Sequence, residues 1–103
     1  MKDKREDQKM TLTLNKNNHT AETAKGTTYL TPTEFSILSY LMEHDGDYST
    51  PEDIYAGVWQ AEPFACRPLI AVHIRHLREK IEPDPSEPTY VKVIWGKGYR
   101  YNG

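Results

Sequence analysis

At 103 residues and 11.9 kDa, the chain has room for one hydrophobic core and little more. It holds no apolar run of the roughly 18 residues needed to span a bilayer. Its start, Met1-Lys2-Asp3-Lys4-Arg5, has no apolar stretch of a secretory signal, and its one cysteine, Cys66, makes no internal disulfide. These features exclude a helical membrane protein, a disulfide scaffold and a Cys-rich zinc finger, and they fit a cytoplasmic protein. The net charge of −2 conceals a segregation: residues 31–65 carry Glu34, Glu43, Asp45, Asp47, Glu52, Asp53 and Glu62 and no Lys or Arg, whereas residues 66–103 are net basic. A polyanion is expected to meet the C-terminal third and avoid the middle; the plainer reading is a dipolar surface with no partner.

Residues 1–8 are polar after Met1 and read as a flexible tail or linker remnant, leaving residues 9–103 for the folded domain. From Met10 to Leu30, Thr-rich segments are broken by Asn15-Lys16-Asn17-Asn18 and Lys25-Gly26, which predicts a small antiparallel β-meander. Thr31-Pro32-Thr33-Glu34 then combines a cap residue, a proline at the first helical position and a carboxylate able to reach back to the cap. It opens a helix with Phe35, Leu38, Leu41 and Met42 inward, ending near His44-Asp45-Gly46.

Thr50-Pro51-Glu52-Asp53 repeats the device and opens a second, shorter helix with Ile54, Tyr55, Val58 and Trp59 inward. Gly57 costs that helix about 1 kcal/mol relative to Ala, which points to close approach by another element. Residues 60–67 lack periodicity and read as a loop. A third helix is predicted over about 68–82, with Ile70, Ile74, Leu77 and Ile81 inside an arc of about 60° at 100° per residue. Val72, Arg75 and Glu79 face the other way, with His76 and Arg78 on the flanks. Pro83-Asp84-Pro85 stops the helix. Residues of about 90–102 form a hairpin whose Gly96 and Gly98 permit positive φ, with Trp95 expected to pack at its base.

A meander, three helices and a glycine-tipped basic hairpin together predict an α+β fold of the winged helix-turn-helix kind. Residues 30–101 closely resemble the C-terminal DNA-binding domain of OmpR/PhoB-type bacterial response regulators. The resemblance is carried by Leu30-Thr31-Pro32-Thr33-Glu34-Phe35, Val58-Trp59, Val72-His73-Ile74-Arg75-His76-Leu77-Arg78-Glu79-Lys80-Ile81, Glu82-Pro83-Asp84-Pro85 and Trp95-Gly96-Lys97-Gly98-Tyr99-Arg100-Tyr101. It implies a transcriptional regulator, not an enzyme, that needs no cofactor or metal. The third helix is expected in the DNA major groove and the hairpin, the wing, in the adjacent minor groove. Two molecules are expected head to tail on DNA, with the free protein a monomer.

By the same resemblance, Val72, Arg75 and His76 match base-reading positions, and His73, Arg75 and Arg78 match phosphate contacts, with Arg75 serving either role; Arg67, one position before the family's common Arg, is expected at phosphate in its place. Lys97 and Arg100 belong to the wing, and Glu62, Pro63 and Phe64 lie in the loop where some members touch RNA polymerase. The sequence departs from the family in three places: Pro68 stands where a phosphate-binding Arg is common, Ala71 replaces an Asp, and His76 replaces a frequent Arg. No receiver domain lies within these residues, so an output domain parted from its receiver and a free-standing relative are both expected sources.

The chemistry of these residues supports the roles. The Arg75 guanidinium suits guanine O6 and N7 together, and a mid-helix Val72 suits a thymine methyl. Arg78 suits phosphate and Lys97 a narrow, electronegative minor groove. The competing readings are a surface Arg75 paired with Glu79, a solvated Arg78 and a turn lysine kept for solubility. His73 and His76 with Cys66 superficially suggest a metal site, but no third ligand stands at fixed spacing. A rival of another class is a winged-helix module that binds protein, with the acidic first two helices as its working surface.

Overall fold

The computed structural model describes residues 11–102; the expected tail over residues 1–8 lies outside them. Strands β1 (Thr13–Asn15), β2 (Thr20–Thr23) and β3 (Gly26–Tyr29) form an antiparallel sheet in that order. Leu14 pairs with Ala21 and Ala21 with Thr28. The Asn15 side chain accepts the amides of Asn17 and Asn18, which closes the first turn, and Thr23 does the same for Lys25. The meander predicted from the threonine pattern is therefore present, and Leu12 and Ala21 carry it onto the core.

Helices α1 (Pro32–Glu43) and α2 (Pro51–Trp59) both begin with a complete capping box, Thr31 with Glu34 and Thr50 with Asp53. Ile37, Leu38 and Leu41 of α1 are fully buried, with Phe35 and Met42 at the margin. On α2 the fully buried apolar side chain is Ile54; Tyr55, Val58 and Trp59 pack against the core from its edge. A Cβ at Gly57 would run into the Tyr40 ring, so α1 makes the close approach that this glycine implied. Helix α3 (Arg67–Ile81) starts one residue before the expected boundary, and its predicted stripe of Ile70, Ile74, Leu77 and Ile81 is buried throughout.

Glu34 has a second role that its place in a capping box did not reveal. Only 3% exposed, it accepts the Thr31 amide at 3.0 Å and the Lys80 ammonium at 2.6 Å, with His76 Nδ1 at 3.9 Å. It thus joins the start of α1 to the last turns of α3. Burial pushes its pKa up; the Lys80 hydrogen bond, the Thr31 amide and the charges of Lys80 and His76 outweigh that and hold it below the usual value.

Strands β4 (Val91–Ile94) and β5 (Gly98–Tyr101) form the wing. Arg78 in the last turn of α3 and Glu82, the residue just past its end, fix its position. The buried Glu82 carboxylate accepts the amides of Thr89 at 2.6 Å, Tyr90 at 3.0 Å and Val91 at 2.8 Å. Arg78 Nε and Nη2 both donate to the Val91 carbonyl at 3.1 Å. The peptide groups on either side of Val91 are therefore gripped by one helix end. On the other edge, Ser49 and Tyr99 exchange two backbone hydrogen bonds of 2.8 Å, which tie the wing to the approach of α2.

One expectation is corrected here. Trp95 does not pack at the wing base. The pairing of Ile94 with Gly98 leaves Trp95, Gly96 and Lys97 as the turn, so the indole sits at the tip and is 95% exposed. A two-stranded wing offers no second layer at its tip for the ring to pack on.

Two outcomes follow from these contacts. Gly98 holds φ +117°, and a Cβ there would land on the Ser49 carbonyl; Gly98→Ala should cost about 2–3 kcal/mol in urea denaturation. The second concerns acid. Because the folded-state pKa of Glu34 is lowered, its contribution is complete above about pH 4.3, the unfolded value, and is lost as pH falls through the folded value. The stability difference between the wild type and Glu34→Gln, measured by denaturation from pH 7 downward, should therefore shrink on acidification.

Candidate nucleic-acid interface

The exposed side of α3 follows from the helical period that buries the other side. With the isoleucine and leucine stripe facing α1 and α2, Pro68, Ala71, Val72, Arg75 and Glu79 are turned to solvent. Val72 is 44% exposed. Arg75 is exposed and makes no ion pair among the described residues. The competing reading, a pairing with Glu79, is thus not realised, and among the described residues the guanidinium has no ion-pair partner on this face.

The remaining expected site residues are distributed around this centre. Arg67 is exposed and forks onto Glu52 of α2, with Nε and Nη2 at 2.9 and 3.0 Å from the two carboxylate oxygens. This links the first turns of α2 and α3 by a surface ion pair worth at most about 1 kcal/mol. Arg78 is not a solvated charge: it is half-buried and committed to the Val91 carbonyl. Burial lowers its pKa from the ordinary guanidinium value, opposed by Tyr99 and Glu82. His76 leans from the flank toward Glu34 of α1 and stands off the Val72–Arg75 face.

His73 sits at the α2–α3 junction, its ring 6.1 Å from that of Trp59, and its Nδ1 is buried without a partner. The two histidines thus diverge, and among the described residues no third ligand gathers with them. On the wing, Lys97 is exposed in the turn, where its amide donates to Ile94 at 3.0 Å. Arg100 lies over the Tyr48 ring, 4.8 Å from its centroid, and so faces the body of the domain.

The α2–α3 loop joins Trp59 to Arg67. Gln60 and Ala65 adopt left-handed backbone at its two ends. Between them Glu62 is exposed, Pro63 half-buried and Phe64 87% exposed.

Two residues that shape this region escaped the sequence reading. The sequence places Glu82 at a helix end, where its carboxylate opposes the macrodipole. That unfavourable placement was the available signal that a donor set, here the amides of residues 89–91, must compensate it. Lys25 adds to the same helix end, donating to the carbonyls of Glu79 and Glu82. Trp95 was the other, and no local pattern distinguishes a packed indole from a projecting one.

Comparison with known proteins agrees with this arrangement. A family model described as the C-terminal part of transcriptional regulatory proteins matches residues 25–101. The chain is 46% identical over 71 residues to an uncharacterized transcriptional regulatory protein of Bacillus subtilis, YcbL, covering 69% of this chain and 31% of that one. It is 41% identical over 90 residues to the regulatory protein VanR of Enterococcus faecium, covering 86% of this chain and 39% of that one. Against these relatives the chain spans less than two fifths of the length. Among solved structures, the DNA-binding domain of CpxR from E. coli superposes with a TM-score of 0.71 at 30% identity, over 89% of this chain and 90% of that one. No helix among the described residues is long and apolar enough to cross a membrane. With its three helices, paired sheets and helix-anchored wing, the chain belongs to the transcriptional regulatory protein C-terminal family, the OmpR/PhoB-type winged-helix domain of response regulators.

Proposed function

We propose that this domain binds duplex DNA sequence-specifically and regulates transcription as the output module of a response regulator or a free-standing relative. The observation that carries the reading is the exposed Arg75, unpaired among the described residues, beside Val72 on α3, with the lysine-tipped wing held at a fixed position by the end of the same helix. In this reading α3 enters the major groove, Arg75 forks onto a guanine and Val72 meets a thymine methyl. Lys97 follows the wing to the adjacent minor groove.

His73 donates to phosphate from the α2–α3 junction, and Arg67 exchanges Glu52 for phosphate when DNA arrives. Arg78 acts on DNA mainly by holding the wing. His76 reaches a base only by leaving Glu34, so it ranks behind Arg75 as a reader. The partners proposed beyond DNA are a receiver domain, a second copy head to tail on a repeated site, and RNA polymerase at the loop bearing Glu62, Pro63 and Phe64. An aromatic ring held 87% exposed on that loop supports the last of these. The cytoplasm is the compartment this function requires.

Selection of bound sequences from a random duplex library tests the main reading, which predicts a motif recurring at about one helical turn. Arg75→Ala should weaken binding to the selected site by roughly tenfold or more, since a bidentate base contact is worth about 1–3 kcal/mol, and should relax one position of the motif. No enriched motif, together with binding unchanged by Arg75→Ala, would sink the assignment. For the loop, Phe64→Ala should leave duplex affinity unaltered in a gel shift and lower transcript yield in a reconstituted transcription assay.

A further inference from the structure

Trp95 is the most exposed large apolar side chain among the described residues, and Val93 and Ile94 beside it are also exposed. The three line a groove of about 330 Å³ between the wing and the first turns of α2 and α3. The lining includes Arg67, Arg78 and Lys97 and no Asp or Glu. Arg67 is answered by Glu52 and Arg78 by the Val91 carbonyl, so Lys97 is the uncommitted charge of the rim among the described residues; an apolar floor beside that ammonium matches a partner that is both anionic and apolar at close range. A DNA strand is such a partner, because the faces of its deoxyribose rings lie between its phosphates.

Resting on the DNA-binding reading above, we propose that Trp95 is a non-ionic DNA-contact residue whose indole packs on the deoxyribose walls of the groove that the wing tip enters, with Lys97 at a neighbouring phosphate. The turn geometry suits this. Gly96 holds φ +83° with open space around it, so the backbone between indole and ammonium stays thin enough to enter a narrow groove. Apolar side chains serve as minor-groove contacts in other DNA-binding folds. The contact releases no counterions, so its contribution is independent of salt, whereas that of Lys97 is not.

The test compares wild type, Trp95→Ala and Lys97→Ala on the duplex selected by the wild type, with affinities measured over a series of salt concentrations. Trp95 makes no core contact, so its variant should fold, and circular dichroism checks this. The expected result is that Trp95→Ala binds about tenfold more weakly at every salt concentration with the salt slope unchanged. Lys97→Ala should flatten the slope by about one ion. Trp95 fluorescence, identified by its loss in Trp95→Phe, should become shielded from acrylamide when DNA is added. Wild-type affinity in Trp95→Ala, or an indole as open to acrylamide in the complex as in the free protein, overturns the proposal while leaving the DNA-binding reading intact. Weakened self-association in Trp95→Ala with unaltered DNA affinity also overturns it and assigns the indole to a second copy. Absence of DNA binding by the wild type itself overturns both readings.

Discussion

The geometry of this domain depends on the grip that the last turn of α3 holds on Val91. A two-stranded hairpin is marginal by itself in water, and nothing in β4 and β5 alone dictates how they sit against the helices. Glu82 supplies acceptors for three consecutive amides, and Arg78 supplies two donors to the carbonyl that follows. Together they convert one helix end into the socket of the wing. Neither residue is replaceable by a neutral one of similar size without stranding buried backbone groups, each of which costs about 1–3 kcal/mol when left unsatisfied. The spacing between the exposed face of α3 and Lys97 is therefore a property of the fold rather than of a flexible loop.

Part of the acidic middle of the chain is spent on internal structure, while Glu43, Asp45, Asp47 and Glu62 stay exposed. Glu34 and Asp53 close capping boxes, Glu34 also neutralises Lys80, and Glu52 holds Arg67. The net negative charge therefore coexists with a face on which Arg75 has no ion-pair partner among the described residues and with a groove whose Lys97 is likewise uncommitted. The sign of the whole molecule is a poor guide to the surface it presents, because electrostatic interactions at contact range exceed those beyond about 10 Å in salt.

Much of this architecture was legible in the sequence because its signals are local. Thr31-Pro32-Thr33-Glu34 and Thr50-Pro51-Glu52-Asp53 encode helix starts through bonds that span three residues. The Ile70, Ile74, Leu77 and Ile81 stripe fixes which side of α3 is buried and therefore which side is left to Val72 and Arg75. Gly57 announced the α1 contact because a glycine inside a helix is costly without one. The second role of Glu34 was hidden, since its partner Lys80 lies 46 positions away.

The sequence alone thus determined the element order, the helix boundaries to within about a residue and the outward face of α3, all of which arise from periodicity and neighbour-to-neighbour hydrogen bonds. Tertiary structure alone decided the state of the individual side chains. It engaged Arg78 with the wing, turned His76 toward Glu34, drew Arg100 over Tyr48 and left Trp95 in solvent at the tip. Those outcomes depend on which surfaces meet after the chain closes, and residues far apart in the chain carry no local mark of the partner they will find.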